Sequence, residues 1–298
     1  MRIIVSGSSG LIGSALVEHL RGQGHTVVRL VRRSAAAADT ASWDPASGRL
    51  EPSIIDGADA VINLSGAGIG DHRWTDDYKR ELLVSRTNTT GLLARTIAEV
   101  DAKPSVFLSG SAIGWYGARG DESLDEDATP GTGFLAQICA EWEAATRPAE
   151  DAGVRTAHLR TGIVLSPAGG ALKKQLPLFR FGLGGKFSSG KQWQSWISLP
   201  DEVGAITHLL TAAVSGPVNL TAPQPVTNAE FTKVLGKVLG RPTLVPIPSF
   251  GPALLLGREL ADALLFTGQR VVPGKLGQSG YSFLHPTLES ALRALLGR

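Results

Sequence analysis

The chain has 298 residues, 43% hydrophobic and 19% charged, with a formal net charge of +2. That balance suits an ordinary globular protein with one large core and a smaller appended unit; it excludes a disordered chain and argues against a nucleic-acid-binding one. Cys139 is the only cysteine, which excludes an internal disulfide and leads us to expect a cytoplasmic setting.

Residues 2–6 are apolar and β-branched at their centre (Ile3, Ile4, Val5), the pattern of a parallel strand covered on both faces. A strand at the very start leads us to expect no leader peptide. Glycines follow at 7, 10 and 13, and from Leu11 the apolar positions Leu11, Ile12, Ala15, Leu16 and Leu20 fall at helical spacing. Strand, glycine turn and helix start together predict a dinucleotide-phosphate site built from Gly7, Ser8, Ser9, Gly10, Leu11 and Ile12. Gly7 permits the tight turn, Gly10 lets backbone approach a pyrophosphate, and Gly13 lets helix pack on strand. The alternative is an ordinary strand-to-helix turn with no ligand.

A second strand over 26–31 ends in Arg32 and Arg33. At this position an acid suits a ribose 2′-hydroxyl and an arginine suits a 2′-phosphate, so the pair favours NADP(H) over NAD(H); the other reading is a solvated basic pair. Trp43, Asp44 and Pro45 are expected in a loop after a weak third strand. A buried strand over 59–65 then runs into Gly66, Ala67 and Gly68, a second glycine turn at the same end of the sheet. Thr75, Asp76 and Asp77 open a long helix to residue 99 as cap and acidic first turn. The next strand, 105–109, leads to Gly110 and Ser111. Residues 121–133 read as an acidic loop, 134–152 as a helix and 155–160 as a strand. Alternating strands and helices predict an α/β, Rossmann-type doubly wound parallel sheet that binds ligand beyond the carboxyl ends of its strands, at residues 7–13, Arg32, 64–67, 109–111 and 160–162.

The character changes after Ser166. Residues 169–200 contain no Asp or Glu but hold Lys173, Lys174, Arg180, Lys186, Lys191 and the pair Trp193 and Trp196. Two readings stand: a pocket for an anionic, partly planar ligand, or a solvated basic face over two core tryptophans. A helix over 201–214 and a strand over 216–220 are expected to return to the sheet. Thr227 and Glu230 form a capping box for a helix to Leu239. The rest is Pro-punctuated and helical; its apolar run 253–256 is too short to span a bilayer. The domain reading is therefore residues 1–166 with 201–222 as the dinucleotide-binding unit. Residues 167–200 and 223–298 form a substrate segment and a small, mainly helical C-terminal lobe.

Short-chain dehydrogenases move a proton with a Tyr whose pKa is lowered by a Lys four residues on, beside a Ser or Thr that orients the substrate. Ser111 stands where that serine belongs. At the start of the next helix, however, the chain has Phe134 and Ile138, and phenylalanine carries no proton. Tyr116 is the nearest substitute, with packing at the strand end as its competing role. The six histidines share no ligand spacing, so no metal site is expected, and Cys139 reads as a core residue of a helix face.

The motifs resemble one family nearly end to end. They are residues 7–13, Trp43-Asp44-Pro45, Asn63-Leu64-Ser65-Gly66, Arg73-Trp74-Thr75, Ser85-Arg86, residues 111–117, Trp142-Glu143, residues 159–165, Gln192-Trp193 with Trp196-Ile197, residues 219–223 and residues 227–231. The chain resembles the atypical extended short-chain dehydrogenases of the NAD-dependent epimerase/dehydratase family, the sugar-nucleotide epimerase-like proteins with a C-terminal domain of unknown function. The resemblance implies NADP(H) held by the glycine turn, Arg32, Leu64, Ser65 with Gly66, Glu81, Arg86, and the strand ends at Ser109, Leu159 and Arg160. It also implies a homodimer through the helices 75–99 and 134–152. This chain departs where relatives read Trp-Ile-His and an Asp pair: it has Trp196, Ile197, Ser198, Leu199, Pro200, Asp201 and Glu202. The expected function is an NADP(H)-dependent oxidoreductase or epimerase acting on a small or nucleotide-linked substrate. The alternative is an NADP(H)-binding sensor or scaffold without turnover. Neither nucleic acid nor a membrane is expected as a partner.

Overall fold

The structure is a computed structural model and describes residues 1–298 except Ala36. At its centre β1 (Arg2–Ser6) buries Ile3, Ile4 and Val5 completely. Alternate residues of a strand face opposite sides of a sheet, and the cores divide accordingly. Ile3 and Val5 join Leu16 and Leu20 of α1 (Leu11–Gly22) on one face, whereas Ile4 packs on the other side.

The chain continues through β2 (Thr26–Val31), β3 (Thr40–Asp44), β4 (Arg49–Leu50), β5 (Ala60–Asn63), α2 (Asp76–Glu99) and β6 (Val106–Ala112). Then come β7 (Ser123–Leu124), α3 (Phe134–Ala144), α4 (Arg147–Asp151), β8 (Arg155–Thr161), β9 (Ile163–Leu165) and α5 (Gly170–Arg180). The last part holds β10 (Trp193–Gln194), β11 (Trp196–Ser198), α6 (Leu199–Leu209), β12 (Gly216–Leu220), β13 (Val226–Thr227) and α7 (Asn228–Leu239). It ends with α8 (Phe250–Leu256), α9 (Arg258–Ala261), β14 (Arg270–Val271), α10 (Gly274–Gln278) and α11 (Leu288–Leu296).

Eight strands form the main sheet in the order β12-β8-β6-β5-β1-β2-β3-β4, parallel throughout except for the β3–β4 pair. The chain leaves β1 in one direction through β2 and β3, then returns to β5 on the other side. The crevice between β1 and β5 is thus the topological switch point where such sheets bind ligands. The structure is the Rossmann-type doubly wound sheet that the sequence predicts.

Several boundaries differ from the sequence reading. Trp43 and Asp44 belong to β3, where they pair with Leu50 and Arg49 of β4. β6 runs on through Ser111 and Ala112 because these pair in register with Arg160 and Thr161 of β8. The helix expected over 134–152 is two helices, with Pro148 in the first turn of α4. Proline fits there because its missing N–H costs nothing. α6 starts earlier than expected, capped by Ser198 Oγ, which accepts from the Asp201 N–H. Thr227 and Glu230 form the capping box as read.

Candidate functional site

The glycine turn shapes the site. Gly7 has a φ of 71°, and a Cβ there would meet the Leu64 carbonyl group at 2.5 Å. At Gly13 a Cβ would lie 2.2 Å from the Gly7 oxygen. Both positions therefore exclude a side chain, one by conformation and contact, the other by helix-to-strand approach. Gly10 differs: its Cβ would touch only the Gly7 oxygen, at an ordinary 3.4 Å. No side chain caps α1, whose N-terminal N–H groups are left to the crevice. Ser6 Oγ donates to Asn63 Oδ1 at 2.6 Å, tying β1 to β5 beneath the turn.

A cavity of about 530 Å³ extends from this turn. Gly7, Leu11 and Ile12 form one end; Leu64, Arg86, Ser111, Ile138 and Trp142 form one side, and Thr161 and Ile163 the other. Residues 192–195 and 263–265 close it from the C-terminal part. The cavity brings together the predicted Gly7, Gly10, Leu11, Ile12, Leu64, Arg86 and Ser111. Arg86 donates to the Leu82 and Ala67 oxygens and stacks over Trp142 at 5.0 Å; burial lowers its pKa. Arg32 is exposed at the end of β2, Ser8 and Ser9 sit in the turn, and Ser65 and Gly66 follow β5; none of these lines the cavity.

Other predicted residues lie away from it. Glu81 is exposed on α2, and Ser109 is buried in β6 with no hydrogen-bond partner for its hydroxyl. Leu159 is wholly buried in the core. Arg160 is committed to Glu143 of α3, donating through Nε at 2.8 Å and Nη2 at 2.9 Å. Burial opposes its charge, but Glu143 outweighs that and its pKa is raised. Of the two roles read for Tyr116, its surroundings match packing at the strand end. It is fully buried, donates to Asn219 Oδ1 at 2.7 Å and accepts from Arg160 at 3.0 Å. Burial raises its pKa, and its hydroxyl serves packing rather than the cavity.

In the basic segment the solvated-face reading holds for the cations. Leu172, Leu176 and Phe179 turn α5 inward, so Lys173, Lys174 and Arg180 face solvent, as do Lys186 and Lys191. The cavity receives Gln192, Trp193, Gln194 and Ser195 instead. Phe134 and Ile138 pack with Trp74, Tyr78 and Leu82 in an apolar cluster. Lys79 lies 5.2 Å over the Phe134 ring, and Tyr78 donates to the Gly68 oxygen; neither lines the cavity. Burial raises the Cys139 thiol to about 11, which leaves it an inert thiol on the cavity wall.

Two hydroxyl–carboxyl pairs escaped the sequence reading. Ser111 Oγ donates to Glu143 Oε1 at 2.7 Å, and Glu143 also takes the Arg160 fork. Thr161 Oγ1 donates to Glu202 Oε1 at 2.9 Å. Glu202 is completely buried, its other oxygen has no partner, and burial raises its pKa to about 8. Glu143 thus has a cation beside it and, among the described residues, Glu202 has none. Ser111 pairs with Arg160 across β6 and β8 while Thr161 pairs with Ala112, so the two hydroxyls leave opposite faces of the sheet at its carboxyl edge. Ser198 forms a further cluster: its hydroxyl donates to Asp201 at 2.7 Å and lies 2.9 Å from His285 Nδ1, but it is fully buried outside the cavity and holds the C-terminal segment.

Comparison with known proteins gives a consistent picture. Residues 3–221 match the NAD dependent epimerase/dehydratase family, and residues 247–295 match a domain of unknown function. Epimerase family protein MT2273 of Mycobacterium tuberculosis is 46% identical over 291 residues, covering 97% of this chain and 96% of that one. The crystal structure of human epimerase family protein SDR39U1 (isoform 2) with NADPH superposes with a TM-score of 0.91 at 35% identity, covering 100% of this chain and 99% of that one. MoeE5 in complex with UDP-glucuronic acid and NAD shares the fold, with a TM-score of 0.75 at 20% identity over 100% of this chain and 98% of the other. With its glycine turn at the switch point and a match over most of its length, the chain belongs to the NAD-dependent epimerase/dehydratase family.

Proposed function

We propose that this chain is an NADP(H)-dependent oxidoreductase or epimerase that uses two hydroxyls in place of the missing Tyr–Lys pair. The observation that carries the reading is the single cavity joining the glycine turn to Ser111 and Thr161. The turn fits a dinucleotide phosphate: Gly7 and Gly13 are closed to side chains by backbone, while the space beside Gly10 is open. The human relative solved with NADPH supports the same cofactor, and exposed Arg32 at the end of β2 suits its 2′-phosphate. NADP(H), when bound, supplies a hydride donor or acceptor.

The side chains then divide the proton work. Ser111 commits its proton to Glu143 and turns lone pairs toward the cavity, so it accepts a hydrogen bond from a substrate hydroxyl. Thr161 donates to Glu202 Oε1, and because burial favours the neutral carboxyl, a weaker acceptor than a carboxylate, the threonine proton turns to a substrate oxygen when one is bound. The two carboxyls differ in surroundings: Glu143 takes the Arg160 fork, and Glu202 meets no cation among the described residues. The substrate is a small or nucleotide-linked carbonyl or hydroxyl compound.

The second reading is a cofactor-binding sensor without turnover, favoured by the packed Phe134 and Ile138. Titration of the tryptophan fluorescence with NADPH and NADH tests the common part. Tight, NADPH-selective binding that Arg32→Ala weakens at least tenfold, with little effect on NADH, is expected. Equal loss for both cofactors refutes the 2′-phosphate assignment, and no binding to either refutes the reading. A substrate-dependent change in the absorbance of the reduced cofactor, lost in Thr161→Val, separates the enzyme from the sensor.

A further inference from the structure

The lobe beside the cavity has a surface unlike the rest of the molecule. Phe181 and Leu183, just after α5, are 81% and 68% exposed. Leu244, Val245, Phe250, Leu254 and Leu255 are each exposed by 74% or more. The two stretches lie side by side: the Ile247 N–H donates to the Lys186 oxygen, and the Ser188 N–H donates to the Ile247 oxygen. Gly182 lies against Pro242, and Gly185 against the Val245 backbone. Arg73 donates to the carbonyls of Leu254 and Leu255, fixing the end of α8 to the loop that carries Ile69 into the cavity wall. The end of α8 is thereby tied to a loop of the cavity wall, although none of these exposed side chains lines the cavity itself. Contiguous apolar surface on this scale marks an interaction site.

Charge identifies the occupant. Residues 169–200 and 231–258 contain no Asp or Glu. They carry Lys173, Lys174, Arg180, Lys186, Lys191, Lys233 and Arg241, all exposed and, among the described residues, without an acidic partner. Arg180 adjoins Phe181 in sequence, and Lys186 and Arg241 lie three residues from Leu183 and Leu244. The chain as a whole is nearly neutral, so acidic residues are concentrated elsewhere. Apolar side chains that enter the acyl boundary, ringed by cations that meet anionic headgroups, are the two elements of interfacial binding. No helix among the described residues is long and apolar enough to cross a membrane, and surface docking needs none.

We propose that this lobe docks on an anionic phospholipid surface, with Phe181, Leu183, Leu244 and Phe250 at the acyl boundary and Arg180, Lys186 and Arg241 on the headgroups. The cavity rim at residues 263–265 then faces the lipid.

The test is co-sedimentation of the intact protein with vesicles of phosphatidylcholine alone and of phosphatidylcholine with about one third phosphatidylglycerol. Binding to the anionic vesicles is expected to be at least tenfold tighter than to the neutral ones and to weaken with salt. Phe181→Glu with Leu183→Glu, and separately Lys186→Glu with Arg241→Glu, should each abolish it. Leu284→Glu, at an exposed leucine beside α6, should leave it unchanged. NADPH titration of every variant keeps this outcome apart from the cofactor assignment. No sedimentation with anionic vesicles overturns the proposal, and so does binding that survives the patch variants. Light scattering that shows a dimer dissolved by the same variants assigns the surface to a second copy instead and equally overturns it.

Discussion

Replacing Glu202 by glutamine tests the buried acid through protein stability alone. The side chain is completely buried, has one oxygen without a partner and has no cation within reach of a salt bridge among the described residues. Burial raises its pKa from 4.5 to about 8. The folded state therefore binds this proton more tightly than the unfolded state does. Below pH 4.5 both states hold it and there is no penalty; as pH rises toward 8 the unfolded chain ionises first and stability falls. At about 1.4 kcal/mol per pH unit, the penalty is about 1 kcal/mol at pH 5, about 3 kcal/mol at pH 7 and about 5 kcal/mol by pH 8.5. Glu202→Gln removes this dependence and substitutes a fixed cost of about 1–3 kcal/mol for an amide group without a full set of partners. Urea unfolding of both proteins across this range should show the variant equal or less stable near pH 5 and more stable at pH 8.5. The other titrating groups cancel in the difference. A constant difference between the two proteins at every pH refutes a neutral Glu202 and, with it, the donor role of Thr161.

The glycine turn separates folding from ligand approach. Gly13→Ala drives a Cβ to 2.2 Å from the Gly7 oxygen and should lower the melting temperature by several degrees. Gly10→Ala meets nothing closer than 3.4 Å, so it should melt normally yet weaken NADPH at least tenfold; unaltered NADPH affinity would show that phosphate does not lie on this turn. Arg160→Met leaves Glu143 as a buried carboxylate without its guanidinium, which should cost about 3–5 kcal/mol in denaturant unfolding. A loss below about 1 kcal/mol would show that Glu143 changes its charge or turns to solvent instead.

Much of the sheet and half of the site were legible because their signals are local. The β1 run, its three glycines and the first turns of α1 lie within a few residues. The Thr227 capping box needs only a spacing of three. Strand direction follows once helices alternate with strands, and the switch point follows from strand direction. The readings that stay open are those where a distant partner decides. Whether α5 turns its lysines inward depends on Leu172, Leu176 and Phe179 meeting Phe231 and Leu292 in one core, contacts made across more than 50 residues. Tyr116 keeps two open roles, proton carrier or packing residue, until Asn219, 103 residues later, accepts its proton.

The hydroxyl–carboxyl pairs follow the same logic. Glu143 was visible in the motif with Trp142, and Glu202 in the run after Trp196, but neither spacing tells which hydroxyl each meets. Ser111 reaches Glu143 over 32 residues and Thr161 reaches Glu202 over 41, through a sheet that must form first. The missing Tyr and Lys were readable at once because one helix carries both positions. The two hydroxyl–carboxyl pairs cannot be read that way, since they are spread over β6, α3, β8 and α6. Those four elements meet only at the carboxyl edge of the sheet, where the cofactor turn already points. A rigid sheet edge is what allows side chains from four separate elements to be held beside one cavity, and the proposed division of proton work rests on that edge rather than on a single helix.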